Sequence, residues 1–426
     1  MSIQSAKGTY DILPNDVYRW HYIEQTMREI CELYNYKEIR TPIFESTDLF
    51  VRGVGESTDI VTKEMYTFSD KGNRSITLRP EGTAPVARSY VEHKLFAEAN
   101  QLTKLYYMGP MFRYERMQKG RYRQFSQFGV EALGSENPSI DAEVISLSVN
   151  LIKRLGLKEV KVAINTLGDL ESRQAYRRAL IEHFKPVVHE LCGDCKKRLE
   201  QNPLRVLDCK VDRNHPSMVN APKMVDYLNE SSRNFFDQVL SDLNALGIDY
   251  TLDDNLVRGL DYYNHTVFEI MSNIEGFGAQ TTLGGGGRYN GLVEEIGGPN
   301  TPGFGVGFGM DRLILALEAE QIEIPDENYL DAFIVTMGDS TNQLAVKLLD
   351  TLRLNQFKVD KDYFDRKVKA QFKQANKLNA KFTIMIGEEE LINNQVILKN
   401  MVTEEQWTVS INEIVQVLRT NLEESR

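Results

Sequence analysis

The chain has 426 residues, a formal net charge of −11 and a hydrophobic content of 42%. This length predicts two or three domains, each large enough to bury its own core. The acidic balance excludes a generally basic nucleic-acid binder, so any contact with RNA requires a local basic surface. Four cysteines are too few for a disulfide framework and are typical of a reducing compartment. The first residues lack a signal-peptide pattern and no later segment is apolar enough to span a bilayer, so we expect a cytoplasmic protein without membrane contact.

The N-terminal part begins with a predicted helix, followed by a predicted strand that contains a proline. Apolar residues at steps of three or four, from Trp20 to Tyr34, predict a helix over residues 17–34. Residues 36–44 are typical of a strand, but Pro42 cannot donate to a β-ladder. We therefore expect this strand at the edge of a sheet or at an interface, although a helix followed by a strand is a generic pattern.

The segment SITLRPEGTA, residues 75–84, predicts a short strand that ends at Pro80. Glu81 follows directly, so its carboxylate can either bind a cationic group or cap the helix expected over residues 83–94. Gly82 would let the backbone approach a ligand. The two interpretations of Glu81 are compatible.

Two strands, residues 104–113 and 124–133, are predicted to flank a basic loop. On the second strand one face offers an aromatic ring, an amide, a bare backbone position and a carboxylate, from Phe125, Gln127, Gly129 and Glu131. The loop region carries one acid, Glu115, against the basic residues Arg113, Arg116, Lys119, Arg121 and Arg123. A polar pocket floor beside a cationic loop indicates a substrate with phosphates and a larger polyanion. From this stretch alone, an exposed basic hairpin on an antiparallel sheet is the alternative.

A helix over residues 141–155 and a strand over residues 161–167 precede a charged, helical stretch at about residues 171–228, which we interpret as an insertion. It contains Cys192 and Cys195 in a C-x-x-C arrangement, and then Cys209. Such a pattern could form the corner of a zinc site. A fourth ligand at the usual spacing is missing, so we expect buried or partly exposed thiols and no structural metal.

Three later segments combine glycine with a single arginine. In NLVRGLDYYNHTVFE, residues 255–269, Arg258 is predicted at the start of a strand that contains Tyr262. In LGGGGRYNGL, residues 283–292, four glycines remove the side chains from a strand end, and no G-K-[ST] follows as in a P-loop. In GFGVGFGMDRLILA, residues 303–316, glycine at every second position strips one face of a strand and leaves room for a flat base or an amino acid. A helix with Arg312 near its N-terminus follows.

Residues 323–329 form a plausible linker, after which strands and helices alternate. This alternation predicts a small doubly wound α/β domain with elements at residues 332–337, 342–356, 358–360, 367–378, 382–387, 395–400 and 411–420. Its basic run consists of Lys361, Arg366, Lys367, Lys369, Lys373, Lys377 and Lys381. Such a run is usually a solvated helix face, and the alternative is an RNA-facing surface.

Taken together, these motifs resemble the class II aminoacyl-tRNA synthetases. FRYE at residues 112–115 resembles motif 2, and RYERMQKGRYRQFSQFGVE resembles the form that this motif takes in histidyl-tRNA synthetases. LVRGLDYY and LGGGGRYNGL resemble the two histidine signatures of that family, and GFGVGFGMDR resembles motif 3. The chain departs from the family pattern at LGGGG, where Cys or Ala is expected before GGGR, and we do not expect this to abolish the site. The resemblance covers nearly the whole chain, and no class I signature is present.

The resemblance implies an α+β catalytic domain of the class II synthetase fold, an antiparallel sheet with flanking helices, over residues 1–325. The helical insertion at about residues 171–228 belongs to it. A C-terminal α/β doubly wound anticodon-binding domain is implied over residues 326–426. The helix and Pro42 strand resemble motif 1, which implies a homodimer.

The resemblance also implies the site residues. Catalytic roles fall to Arg113 and Arg258. Histidine binding is implied for Glu81, Gly82, Thr83, Gln127, Glu131, Tyr262 and Tyr263. ATP binding is implied for Arg113, Glu115, Arg121, Phe125 and Arg312. Contact with the tRNA acceptor end is implied for Arg116, Gln118 and Arg123.

The implied partners are L-histidine, ATP with Mg²⁺, and tRNA-His. The implied reaction is attack of the histidine carboxylate on the α-phosphate of ATP, followed by transfer of histidine to the 3′ end of the tRNA. One alternative is a non-catalytic paralogue such as the regulatory subunit of ATP phosphoribosyltransferase, which typically lacks the C-terminal domain and alters the arginine signature. Both features are intact here. A second alternative is an RNA-binding scaffold.

Overall fold

The computed structural model describes residues 3–56, 58–97, 102–209, 211–274, 282–325 and 328–424. The chain divides into two compact units, Met1–Glu323 and Ile324–Arg426. Residues 326 and 327, in the predicted linker, lie outside the described residues. Among the described residues, the first unit has two sheets and the second has one, and each unit has its own buried core. Within the described ranges, no helix is long and apolar enough to cross a membrane.

The first unit is built on a large, mostly antiparallel sheet. Its strands are β1 Lys37–Glu38, β2 Phe44–Ser46, β3 Tyr66–Ser69, β4 Ser75–Leu78, β5 Thr103–Phe112, β6 Gln124–Leu133, β7 Val160–Thr166, β8 Thr251–Leu252, β9 Asn264–Ser272, β10 Thr282–Arg288 and β11 Gly303–Gly309. In the described part of the chain, eight of them form one sheet in the order β1-β5-β6-β11-β10-β9-β7-β8, and β2-β4-β3 form a second. Only the β1–β5 and β7–β8 pairs of the large sheet, as described, are parallel. Because β6, β11 and β10 are neighbours at the centre, their glycines and polar side chains lie together.

Helices flank this sheet, as expected for the α+β class. They are α1 Val17–Leu33, α2 Thr47–Val54, α3 Thr83–Glu92, α4 Ser139–Arg154, α5 Leu170–Phe184, α6 Gly193–Gln201, α7 Pro216–Val219, α8 Glu230–Ala245, α9 Leu292–Glu295 and α10 Met310–Ala319. The helix α4 contacts β9 and β11, and α1 and α8 contact α4. A fully buried ion pair joins Asp141, in the first turn of α4, to Arg288 at the end of β10. Removing one partner of such a pair commonly costs about 3–5 kcal/mol, so this contact fixes α4 on the sheet.

The single strand predicted over residues 36–44 is wrong. The chain forms β1 and β2 in two different sheets, with Pro42 between them. The carbonyl groups of Thr41 and Pro42 instead accept hydrogen bonds from the buried Arg79 guanidinium, at 2.9 and 3.4 Å. The strand β1 does lie at the edge of the large sheet, as the proline predicted.

The strand predicted to begin near Arg258 begins later, at Asn264. The segment from Arg258 to Tyr263 is a loop before β9. This loop is held partly by a side chain instead of a β-ladder, since Asn165 Nδ2 donates to the carbonyl of Leu256 at 3.1 Å. Arg258 therefore reaches the sheet from a loop, which lets its side chain lie over a neighbouring strand.

The predicted insertion is helical and comprises α5, α6, α7 and the 3-10 helices Lys185–Glu190, Pro203–Val206 and Met224–Tyr227. It begins at Asp169, whose side chain accepts a hydrogen bond from Ser172 N and so caps α5. Its core includes Leu180, Phe184 and Val206, which are completely buried. The insertion therefore packs as part of the first unit's core.

The second unit is a doubly wound α/β domain, as predicted. Its elements are β12 Leu330–Thr336, α11 Asn342–Leu354, β13 Val359–Lys361, α12 Val368–Lys377, β14 Ala380–Ile386, α13 Glu388–Ile392, β15 Gln395–Asn400, β16 Gln406–Ser410 and α14 Ile414–Glu424. The sheet order is β13-β12-β14-β15-β16, with the first three strands parallel and the last two antiparallel. The core on one face contains Leu348 and Leu418, from α11 and α14. The core on the other face contains Ala375 from α12. The sequence analysis missed α13 and the short edge strand β16.

We predict that Gly286→Ala destabilises the first unit. A Cβ at this position would lie 1.9 Å from the carbonyl oxygen of Gly305 on β11, and backbone cannot yield without separating the two strands. Overpacking of this kind costs about 1–3 kcal/mol or more. Urea unfolding followed by the fluorescence of Trp20, in a Trp407→Phe background, would report on the first unit alone.

Gly291→Ala is the matched control, because an added Cβ there meets no atom within 4 Å and its φ is −100°. Equal unfolding midpoints for the two variants would contradict the close approach of β10 and β11.

Candidate active site

A cavity of about 330 Å³ lies over the centre of the large sheet, a size usual for small-molecule sites. Phe125 and Gln127 from β6, Gly285 from β10 and Gly307 from β11 line it. Most of its other lining side chains are charged, namely Arg113, Glu115, Arg121, Arg258, Glu269, Asp311 and Arg312. The polar pocket predicted on one face of β6 is therefore present, and the basic loop borders it.

Three predicted arginines reach the cavity from three different elements. Arg113 follows β5 and donates to the carbonyl of Pro80 at 2.7 Å. Arg258 comes from the loop before β9, and Arg312 from the first turn of α10, where it donates to the carbonyl of Thr282 at 2.7 Å. Guanidinium groups stay charged and can bind phosphate oxygens through two parallel hydrogen bonds. Their convergence suits a polyphosphate.

Two carboxylates form ion pairs with arginines of the cavity. Glu115 lies 3.1 Å from Arg121 and 3.7 Å from Arg113. Glu269 on β9 forms a short ion pair with Arg258 and accepts a hydrogen bond from Thr282 Oγ1 at 2.9 Å. The sequence analysis missed Glu269, for which a charged residue within the apolar strand HTVFEIM was the available signal.

The charges in the cavity affect one another. Burial lowers the pKa of Arg258, but the Glu269 carboxylate opposes this, and the resulting pKa is above the ordinary arginine value. Burial lowers the pKa of Arg312 to about 10, and the neighbouring positive charge of Arg121 acts in the same direction. The arginines therefore repel one another, and an anion bound in the cavity would weaken this repulsion.

An inner polar cluster surrounds Glu131, which is only 1% exposed. Its carboxylate accepts a hydrogen bond from Thr83 Oγ1 at 2.7 Å and a short one from the hydroxyl of Tyr289. Burial raises the pKa of Glu131 to about 8, although these hydroxyl donors lower it. The Tyr289 ring lies 5.7 Å from the ring of Tyr262, which lies 4.6 Å from that of Tyr263. The structure thus brings four residues predicted from distant motifs together, and adds Tyr289.

Three buried polar atoms near this cluster lack a hydrogen-bond partner among the described residues: Gln127 Oε1, Tyr262 Oη and Tyr107 Oη. Buried polar groups are normally paired, so these atoms suit a polar ligand. Tyr107, on β5, was not predicted. A Cβ on Gly82 would lie 2.2 Å from its ring, and one on Gly129 would lie 2.4 Å from it. The Tyr107 ring fills the space where a Cβ on Gly82 would lie, and approach of a ligand to the Gly82 backbone stays a prediction.

Glu81 caps the helix α3. Its carboxylate accepts hydrogen bonds from the backbone N–H groups of Thr83 and Ala84, at 2.9 and 2.8 Å. The side chain is buried, and burial raises its pKa above the ordinary glutamate value. The helix-capping interpretation is confirmed, and binding of a cationic group stays a prediction.

At two positions, the chain's own side chains lie against the bare face of β11. A Cβ on Gly305 would lie 1.9 Å from Glu131 Oε2, and one on Gly307 would lie 2.2 Å from Gln127 Nε2. Gly307 and Gly309 of this strand nevertheless line the cavity, so room for a base or an amino acid stays a prediction. The glycines instead allow Glu131 and Gln127 to lie flat across the neighbouring strand.

The basic loop places its remaining predicted residues differently. Arg116 and Gln118 are exposed. Arg123 is half-buried, and its guanidinium carbon lies 3.7 Å from the ring centre of Tyr114. Its backbone N–H donates to the carbonyl of Gly8 at 2.8 Å, which ties the N-terminal segment to the loop. The exposed pair therefore lies on the outer part of a loop whose inner residues line the cavity.

The mostly antiparallel sheet, the arginine-lined cavity at its centre and the separate α/β unit define a class II aminoacyl-tRNA synthetase. A profile of the family described as histidyl-tRNA synthetase matches residues 8–313, and a profile of the anticodon binding domain matches residues 331–421. The chain therefore belongs to the histidyl-tRNA synthetase family, and it is an aminoacyl-tRNA ligase. This confirms the resemblance seen in the motifs and the expected fold class.

Similar proteins agree with this assignment over the full length. A histidine–tRNA ligase of Bacillus cytotoxicus is 60% identical over 412 residues, covering 97% of both chains. One from Staphylococcus aureus is 58% identical over 418 residues, 98% of this chain and all of the relative. The crystal structure of apo S. aureus histidyl-tRNA synthetase matches with a TM-score of 0.85 and 53% identity, over 98% of this chain and 100% of that one. A structure from Bacillus halodurans, titled as an ATP phosphoribosyltransferase regulatory subunit/histidyl-tRNA synthetase, is 23% identical with a TM-score of 0.64, covers 91% of this chain and 99% of its own, and so shares the fold alone.

Proposed function

We propose that the chain activates L-histidine with ATP and transfers it to tRNA-His, with the residues of the cavity and of the inner cluster in defined roles. The observation that carries this proposal is the convergence of Arg113, Arg258 and Arg312 beside the cluster around Glu131. In the first step, the histidine carboxylate attacks the α-phosphate of ATP and pyrophosphate leaves. In the second, the activated histidine passes to the 3′ end of the tRNA.

The nucleophile of the first step is a carboxylate, which is already ionised at neutral pH. A strong general base is therefore unnecessary, and catalysis depends on positioning and on charge stabilisation at phosphorus. Arg258 and Arg113 supply that stabilisation. Arg312, Arg121 and Phe125 bind the rest of ATP, with the Phe125 ring 5.4 Å from the Arg113 guanidinium carbon.

Mg²⁺ accompanies ATP as part of the substrate and neutralises phosphate charge. Two of the three carboxylates that line the cavity, those of Glu115 and Glu269, lie against its arginines. Hard cations prefer such oxygen ligands. Both carboxylates bind arginines here, so bound phosphate would take over the arginines and leave the carboxylates able to face the cation.

Histidine binds beside the ATP site, against the inner cluster. Glu131 faces the imidazole ring, and Gln127, Tyr262 and Tyr263 line its pocket. The unpaired Gln127 Oε1 and Tyr262 Oη support this assignment, because a ligand with two ring nitrogens and an amino group can pair with them. Glu81, Gly82 and Thr83 hold the α-amino group. Any other amino acid bound in this pocket would leave polar groups of the pocket unpaired. The pocket therefore discriminates strongly in favour of histidine, and no editing site is required.

The tRNA contacts two surfaces, one in each unit. The exposed Arg116 and Gln118, with Arg123, bind the acceptor end near the cavity. The basic residues of α12 bind the anticodon region. Residues 1–325 thus form the catalytic domain and residues 326–426 the anticodon-binding domain. The enzyme acts in the cytoplasm, where its substrates occur.

The paralogue and scaffold alternatives receive less support. Arg258 and the complete second unit are present, and the relatives that match over the full length are named as ligases. Histidine-dependent exchange of labelled pyrophosphate into ATP distinguishes an enzyme from both alternatives.

We predict that Arg258→Ala leaves a folded protein that forms little adenylate. Removing one donor that stabilises transition-state charge commonly lowers the rate by about 10²–10³-fold. Pyrophosphate exchange measures the loss directly, since it does not require tRNA. Arg74→Ala is the matched control, because that arginine is exposed, with 82% of its side chain accessible, and pairs with the nearby Asp70. Near-normal exchange in the Arg258 variant would show that its role is assigned wrongly.

We predict that charge reversal on α12 impairs tRNA charging without impairing histidine activation. Lys369 and Lys373 are exposed, and phosphate contacts dominate RNA affinity. The variant with both changed to Glu should charge tRNA poorly, more so at higher salt, and keep normal pyrophosphate exchange. A fragment ending at Pro325 should behave alike.

Lys347→Glu is the control, because Lys347 is exposed on α11, which packs against the other face of the sheet. Normal aminoacylation by the α12 variant would exclude this helix as the anticodon contact. Complete loss of exchange in a well-folded fragment would show that the second unit supports the active site.

We also propose that the chain is a homodimer that associates through the small sheet β2-β4-β3. One face of this sheet exposes Phe44 and Phe68, which are 55% and 47% accessible, and Ile43 beside it is 45% accessible. Adjacent exposed apolar side chains of this size mark interaction surfaces. The edge strand β1 also needs protection from uncontrolled pairing.

We predict that light scattering at micromolar concentration gives the mass of a dimer, and that Phe44→Asp shifts it toward the monomer. Val219→Asp is the control, because Val219 is 79% accessible but lies in the insertion. A monomeric mass for the unchanged protein would contradict the proposal, and a dimer insensitive to Phe44→Asp would place the interface elsewhere.

A further inference from the structure

The insertion brings three thiols and one carboxylate together. Within the described residues, Cys192, Cys195, Cys209 and Asp212 each offer one ligand atom, and these atoms all lie within 4.8 Å of one another. All but Cys192 are buried, and none of the cysteines is in a disulfide. The sequence analysis found no fourth ligand, and the structure places Asp212, three residues after Cys209, beside the three thiols. We propose that this cluster is a structural zinc site that holds the insertion against the active-site loop.

The spacing of the sulfur atoms matches a tetrahedral metal site. Zinc binds thiolate sulfur at about 2.3 Å, which places two sulfurs of one tetrahedron about 3.8 Å apart. Cys192 Sγ and Cys209 Sγ are 3.7 Å apart, far longer than the ~2.05 Å of a disulfide bond. Cys209 Sγ is 3.6 Å from Asp212 Oδ2, so the carboxylate approaches at a similar distance. The ligand atoms are thus already arranged around a common centre.

The two halves of the cluster have the same local geometry. Cys195 N–H donates to Cys192 Sγ at 3.5 Å, and Asp212 N–H donates to Cys209 Sγ at 3.4 Å. In each half, the sulfur of the first ligand accepts a hydrogen bond from the backbone N–H group of the second ligand, which follows three residues later in the chain. Hydrogen bonds to ligand atoms orient them and are a regular part of metal sites. Cys192 is also the N-cap of α6, and the second half of the cluster repeats its geometry.

The donor set selects the class of metal. Three thiolates and one carboxylate in a tetrahedral arrangement suit zinc, whereas Mg²⁺ and Ca²⁺ require mainly oxygen ligands. The thiols are poor candidates for nucleophilic chemistry, since Cys195 and Cys209 are buried. Binding of the cation would release their protons, and four protein ligands leave no open position for a substrate.

The segment between the two halves contacts the active-site region. Asn202 Nδ2 donates to Asp261 Oδ1 at 3.0 Å, and Asp261 lies in the loop between Arg258 and Tyr262. Arg205 donates to Asp59 at 3.0 Å. Because both ends of this segment carry two ligands, one ion would close it into a loop and fix the contact with Asp261. The metal would thus support the position of Arg258 from outside the cavity.

Metal content tests the proposal independently of the activity. Full-length protein should be produced in zinc-supplemented medium and purified without chelator. Elemental analysis by inductively coupled plasma mass spectrometry should then find about one zinc per chain. Cys192→Ser and Cys209→Ser should each lower this to a small fraction, whereas Asp212→Cys should retain it as a four-thiolate site. Cys31→Ser is the control, because that thiol is buried in α1 outside the cluster. Replacing zinc by Co²⁺ in the unchanged protein should give the intense visible absorption of a tetrahedral thiolate site.

Several results would overturn the proposal. One is that the unchanged protein contains no zinc after purification and also gives no tetrahedral Co²⁺ spectrum. A second is a Cys192–Cys209 disulfide found by mass spectrometry after digestion without reductant. A third is bound zinc that is retained in Cys192→Ser and Cys209→Ser, which would place the ion elsewhere. The Co²⁺ spectrum and Asp212→Cys keep the test decisive if the serine variants fail to fold.

Discussion

The glycines of β10 and β11 are the constraint on which the rest of the site depends. A Cβ on Gly305 would lie 1.9 Å from Glu131, and one on Gly285 would lie 2.6 Å from Arg258. Residues of the neighbouring strand and loop can therefore lie flat over the sheet, which brings the inner cluster beside the arginines. Strand glycines cost backbone entropy and offer nothing to pack. Buried aromatic rings around them offset this, such as Phe268 and Phe304, which stack at 5.9 Å between ring centres.

The second organising feature is a balance of charge that exists before any substrate binds. Each arginine of the cavity has a partner within the chain, as Arg258 has in Glu269 and Arg113 in the Pro80 carbonyl. These partners fix the guanidinium groups where phosphate charge develops, so little reorganisation is needed during the reaction. The chemistry also explains the residue types. A substrate carboxylate that is already ionised needs positioning and positive charge, and neither a Ser/His nor a Cys/His pair would add to that.

In the described part of the chain, the insertion does not line the cavity, but it contacts a loop that does. Its contact from Asn202 to Asp261 bears on the same loop that carries Arg258. That loop has few ladder hydrogen bonds of its own, because β9 begins only at Asn264. External support for it is therefore useful, and a metal-closed segment would supply rigid support at small cost in chain length. A continuous series of contacts thus runs from the insertion through this loop to Arg258.

The sequence by itself determined the fold class, the order of the motifs and the identity of most side chains around the site. Periodicity and glycine spacing are local signals, so β6, with alternating faces, and the glycine strand β11 were predicted with their full extents. Tertiary structure decided what local signals cannot encode: the pairing of Glu269 with Arg258, the Tyr107 ring over Gly82, and the approach of Asp212 to three thiols. Each of these joins residues from separate segments or opposite ends of a loop, and each depends on which elements become neighbours: strands for the first two, and the helices of the insertion for the third. That choice is made by burial of the whole core and is not written in any single stretch of sequence.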